Sequence, residues 1–81
     1  MKSLIKCLVV DDEPLAIELL EKHIEHFPNL ELIRSCWNAF DAFEVLKNES
    51  IDLVFLDIQM PGLTGLELVK SLKNPPGIIF T

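Results

Sequence analysis

The tightest constraint on this chain is a short, almost unbroken apolar run that stops abruptly at acids: Leu4-Ile5-Lys6-Cys7-Leu8-Val9-Val10, followed by Asp11-Asp12-Glu13. The run has strand length and suits a strand covered on both faces in a parallel sheet. Such a strand needs a layer above it and a layer below it, so the rest of the chain has to supply helices for both sides.

It does so by alternation. Residues 30–36, 52–57 and 78–81 are further strand-length apolar runs, and helix-period stretches lie between them. Pro14 fits the first position of a helix, and an acid just before it can cap that helix. Leu15, Leu19, Leu20, Ile24 and Phe27 then recur at helical spacing, and Pro28-Asn29 ends the segment. Asn38 opens a second helix with Ala39, Ala42, Phe43 and Leu46 along one side, closed by Asn48-Glu49-Ser50. Thr64 and Glu67 fit a capping box for a third helix, with Leu66, Val69 and Leu72 on its apolar side and Leu68 flanking it. Asn74-Pro75-Pro76-Gly77 breaks the chain before the last strand. The order strand, helix, strand, helix, strand, helix, strand with short connections implies parallel strands and right-handed crossovers. The expected fold is α/β: a flavodoxin-like, doubly wound parallel sheet of strand order 2-1-3-4.

Length and charge narrow the role. With 81 residues the chain forms one small domain, 1–81, with a modest core. No apolar run approaches the roughly 18 residues needed to span a bilayer, and the N-terminal stretch lacks the pattern of a signal peptide, so the expectation is a cytoplasmic chain without membrane partners. The net charge is −6 and the seven Lys and Arg are scattered, which argues against a nucleic-acid-binding face on this segment. Cys7 and Cys36 lack metal-type spacing and read as small buried hydrophobes of a reducing compartment.

The chemistry gathers at the strand exits. Asp11 and Asp12 leave the first strand, Asp57 the third and Thr81 the fourth. In the order 2-1-3-4 those three strands are neighbours, and ligands of open parallel sheets bind outside their carboxyl ends. Three carboxylates in one place repel one another, and a bound cation removes the conflict. Oxygen donors, few in number, suit Mg²⁺, which often acts beside a phosphoryl group. One of the carboxylates can then serve as a nucleophile and form an aspartyl phosphate, and the Thr81 hydroxyl can donate to a phosphate oxygen.

Leu8-Val9-Val10-Asp11-Asp12-Glu13-Pro14 resembles the opening of a bacterial response-regulator receiver domain. Asp57-Ile58-Gln59-Met60-Pro61-Gly62-Leu63-Thr64-Gly65 resembles the phosphorylation loop of that family, and Ile78-Ile79-Phe80-Thr81 the end of its fourth strand. The resemblance runs along all 81 residues. It implies a CheY-like fold and a two-component signalling switch rather than an enzyme. Asp57 is the implied phosphoacceptor, loaded by a sensor histidine kinase. Asp11, Asp12 and Asp57 hold Mg²⁺, with Asp12 preferred over Asp11 as the direct ligand and the backbone carbonyl of Gln59 as a further one. Thr81 is the implied switch hydroxyl. Asp-Asp-Glu-Pro-Leu-Ala at residues 11–16 and the stretch 56–72 also resemble receivers joined to a LytTR-type DNA-binding domain, so DNA is an expected partner only through an output domain outside these residues, with transcription as the controlled process.

One departure stands out. A complete receiver has a fifth strand, opened by a lysine that pairs with the phosphate, and two more helices. None of the lysines here, Lys70 and Lys73 included, occupies that place. Domain 1–81 is therefore expected to be an incomplete receiver whose edge, Ile78, Ile79 and Phe80, is bare unless more chain, a second copy or another partner completes the sheet.

Weaker readings carry less. Gly62-Leu63-Thr64-Gly65 fits the GxxG loop of a KH domain, but in an acidic chain it reads as a turn before a capped helix. His23 and His26 read as solvent-facing rather than metal-binding. Trp37 reads as partly buried packing, with a partner contact as the second reading, and Phe27, Phe40, Phe43, Phe55 and Phe80 read as core or near-core. An aspartate-nucleophile phosphatase would want a second acid two residues after Asp57, where Gln59 stands. The main rival is a receiver-like interaction module that works without phosphorylation.

Overall fold

The computed structural model describes residues 4–58 and 74–81. The first apolar run forms β1 (Ile5–Val10), and the remaining runs form β2 (Leu30–Cys36), β3 (Leu53–Leu56) and β4 (Gly77–Phe80). All pairings are parallel and the order is β2-β1-β3-β4, as the alternation predicts. Cys7, Leu8, Val9 and Val10 are completely buried, which explains why β1 reads as continuously apolar. Between Cys7 and Leu8 the register with β2 slips: Cys7 faces Leu32 and Leu8 faces Arg34, so Ile33 is the extra residue of a bulge.

The two helices among the described residues cover opposite faces of the sheet. α1 (Pro14–Glu25) brings Ile17 and Ile24 onto Val9, with Leu20, Leu30, Leu32 and Phe55 closing the cluster. α2 (Ala39–Asn48) packs Ala39, Ala42 and Val45 onto Leu8, Val10, Val54 and Leu56, with Cys36 in the same cluster. The small side chains of Ala39 and Ala42 let that helix approach the sheet closely. The Asn38 side chain accepts the amide of Asp41 at 2.8 Å and so caps α2, as the sequence predicts. Phe43 and Leu46 pack at its margin, and the Lys47 ammonium sits 5.4 Å from the centre of the Phe43 ring.

Several expectations need correction. Pro14 opens α1, but the acid before it does not cap: Glu13 makes no side-chain cap bond. The core-facing stripe of α1 is Ile17, Leu20 and Ile24, whereas Leu15 and Leu19 stand exposed. α1 is apolar on more than one side, so spacing alone could not fix which side meets the sheet. Phe27, Phe40 and Phe80 are exposed and only Phe43 and Phe55 are part-buried. Trp37 is exposed as well, at 60%.

At the edge, β4 pairs with β3 alone among the described residues, with Ile79 and Phe80 exposed and Ile78 packed on the α2 cluster. The expected third helix (64–72), the 62–65 turn, Lys70, Lys73 and Gln59 lie outside the described residues. Among the described residues no helix is long and apolar enough to cross a membrane.

Candidate functional site

Three main-chain hydrogen bonds carry the strand ladders one residue past their ends. The Asp11 amide donates to Cys36 O at 3.0 Å, the Asp57 amide to Val10 O at 3.0 Å and the Thr81 amide to Leu56 O at 2.9 Å. Each acceptor is the last residue of the neighbouring strand. Asp11, Asp57 and Thr81 are thus fixed in one row at the carboxyl edge of the sheet, on backbone anchored in the core. This is the convergence that strand order predicts.

The carboxylates differ in setting. Asp11 is buried, and its Oδ1 accepts the Glu13 amide at 2.9 Å. This Asx turn swings the chain off β1 and into α1. The acid that shapes the start of the helix is therefore Asp11, two residues before the N-cap, and not the residue next to Pro14. Asp12 is exposed and Asp57 half-buried. One oxygen from each of Asp11, Asp12 and Asp57 can be chosen so that all three lie within 4.8 Å of one another. Thr81, exposed, follows β4 and is held to β3 only through its amide.

Among the described residues no other group of three His, Cys, Asp or Glu side chains comes together in this way. His23 and His26 are exposed, and His26 Nδ1 donates to Lys22 O at 2.8 Å, a local helix-end contact. Of the described cations, Lys22 and Lys47 pair with Glu18 and Glu44 on helix surfaces. The Cys36 thiol near this end is pushed above its ordinary value, first by burial and then by the Asp41 carboxylate, with Arg34 opposing. Cys7 is raised by burial and by Asp52, with a backbone hydrogen bond from Glu31 opposing. Both are free thiols, fit for packing rather than nucleophilic work.

Three hard oxygen donors, one of them half-exposed beside an open edge, can bind a small dication and present a carboxylate to an electrophile. The sequence left unseen how exposed the surroundings are. Pro14, Leu15, Trp37, Phe40 and Ile58 all stand in solvent just beyond the strand exits. Apolar periodicity marks such residues as core and offers no signal for this.

Comparison with known proteins agrees with the geometry. The response regulator receiver domain profile matches residues 7–81. The transcriptional regulatory protein BtsR of Escherichia coli K12 is 40% identical over 79 residues, which are 95% of this chain and 33% of that protein. The sensory transduction protein LytT of Bacillus anthracis is 41% identical over 80 residues, again 95% of this chain and 32% of that one. The chain thus spans about a third of the length of these curated relatives. The response regulatory domain of mrkE from Klebsiella pneumoniae superposes with a TM-score of 0.81 at 31% identity, covering 93% of this chain and 64% of that domain.

Proposed function

Because the chain belongs to the response regulator receiver domain family, we propose that it is a two-component switch that accepts a phosphoryl group on Asp57. The observation that carries this reading is the gathering of Asp11, Asp12 and Asp57 within 4.8 Å at the strand exits. Asp57 lies half-exposed on backbone tied to Val10. A carboxylate oxygen of Asp57 attacks the phosphorus of a phosphohistidine on a sensor kinase. The P–N bond breaks, the imidazole keeps its electron pair, and an acyl phosphate forms.

The donor set fits Mg²⁺. Oxygens that share an octahedral Mg²⁺ lie about 2.9 to 4.2 Å apart, given Mg–O distances of about 2.0 to 2.1 Å. Three oxygens that lie within 4.8 Å of one another reach that range with at most a small contraction. Asp11, Asp12 and Asp57 would hold the ion, joined by the Gln59 carbonyl. When bound, it offsets the negative charge of the phosphoryl oxygens. Asp11 has two carboxylate oxygens, so it could hold its turn through Glu13 and still serve the ion. Thr81 donates its hydroxyl to the transferred group, and this contact biases a two-state surface. The completing lysine, fifth strand and LytTR-type DNA-binding output are assigned to further chain of a longer cytoplasmic regulator of transcription, a reading supported by the relatives LytT and BtsR. Domain 1–81 is then the first part of the receiver.

Labelling tests this. The intact protein incubated with Mg²⁺ and labelled acetyl phosphate takes up a hydroxylamine-labile phosphate, and Asp57→Asn does not. Equal labelling of the two proteins would remove Asp57 from the role, and no labelling of the wild type would favour an interaction module that works without phosphorylation.

A further inference from the structure

A cleft of about 520 Å³ opens between the start of α1 and the exit of β2, lined by Pro14, Ile17, Glu18, Glu21, Ser35 and Trp37. Its composition is uneven. Trp37, the sole tryptophan of the chain, is part of the lining and is 60% exposed. The lining also carries two carboxylates, Glu18 and Glu21. Glu21 accepts the Ser35 hydroxyl at 2.7 Å, which holds its side chain against β2. Glu18 makes only an exposed pair with Lys22 at 3.7 Å, a contact of little worth that is easily exchanged.

We propose that this cleft receives a cationic side chain, arginine or lysine, of the protein that delivers the phosphoryl group. An aromatic face attracts a cation, and carboxylates make strong charge-assisted bonds with one. An anionic occupant meets repulsion from Glu18 and Glu21, and a purely apolar one gains nothing from their charges. A second copy of this chain, itself of net charge −6, is disfavoured on the same ground.

Position selects the donor among basic partners. Cys36, the residue before Trp37, holds the Asp11 amide at 3.0 Å, so the cleft opens at the same end of the sheet as the carboxylates. β2 and β3 are separated by β1 alone, which puts Trp37 and Asp57 about 10 Å apart across the sheet at the usual strand spacing. A partner footprint of about 800 Å² centred on Asp57 reaches roughly 16 Å from its centre and takes in the cleft. The proposal rests on Asp57 being the acceptor, and its test separates the two.

The full-length protein is phosphorylated in two ways: by acetyl phosphate, and by an autophosphorylated sensor kinase, taken as the one from the source genome that labels the wild type fastest. Trp37→Ala and Glu18→Lys each slow transfer from the kinase by about tenfold or more, as loss of a desolvated cation contact requires. Labelling by acetyl phosphate stays within about twofold, because a small donor needs no docking. Added salt slows the wild-type kinase reaction, and slows that of Glu18→Gln less. Kinase transfer unchanged in both variants would overturn the proposal. So would an equal loss with both donors, which would place these residues in the acceptor site itself. Concentration-dependent dimers in sedimentation that Glu18→Lys abolishes would assign the cleft to a second copy instead. Failure of wild-type labelling by acetyl phosphate would count against Asp57 as acceptor, and so remove the premise.

Discussion

Asp11 has two tasks that can be pulled apart. One oxygen accepts the Glu13 amide and sets the turn into α1, while the group as a whole lies in the acidic cluster. Asn preserves an acceptor but removes the charge. Asp11→Asn should therefore unfold within about 0.5 kcal/mol of the wild type yet bind Mg²⁺ more weakly. Asp11→Ala should lose the turn as well, at a cost of about 1 to 2 kcal/mol. Urea titration reads the first quantity and calorimetric Mg²⁺ titration the second. If Asp11→Asn is as unstable as Asp11→Ala, the turn depends on charge rather than on the acceptor.

Elements were legible in the sequence to different depths. The strands and their exits were readable because the backbone direction of a parallel strand alone decides where its last residue lies. Asp11, Asp57 and Thr81 follow from strand order without any knowledge of packing. The second helix was readable from Asn38 and from small apolar residues at regular spacing. The orientation of α1 was not. Leu15, Ile17, Leu19, Leu20 and Ile24 surround much of its circumference, so more than one stripe satisfied a helical period. Exposed aromatics failed for a related reason, since burial of Trp37 or Phe40 depends on what stands opposite, which local spacing does not encode. The stripe that does face the sheet makes a mutational contrast. Ile17→Ala, at a site only 5% exposed, should cost about 2 to 5 kcal/mol. Leu19→Ala should stay within about 0.5 kcal/mol. Equal effects in thermal unfolding would reverse the assigned face.

The whole molecule carries a sensitivity to alkali that neither helix has alone. Both thiols are buried and both are held above the ordinary value of 9.0, chiefly by burial. Below that value they are protonated in the folded and unfolded states alike, so the stability they contribute is fully present. Above it the unfolded chain releases its thiol protons first, and folding stability falls as pH rises toward the folded values. Urea midpoints measured from about pH 8 to 10.5 should decline, and Cys36→Ala should flatten that decline. A slope unchanged by the substitution would assign it to other groups.

The three amide bonds that extend the ladders have a consequence for how motion can pass through this domain. The protons on Asp11 and Asp57 are held by carbonyls of β2 and of β1, whose last four residues are completely buried. The Asp57 amide lies between the two central strands and can exchange with solvent only when the centre of the sheet opens, whereas the Asp11 amide depends on the pairing of the outer strand β2. The Thr81 proton hangs on the pairing of β4, the other outer strand among the described residues. Among the described residues, Asp57 is thus mounted on the centre of the sheet, while Asp11 and Thr81 each depend on the pairing of an outer strand.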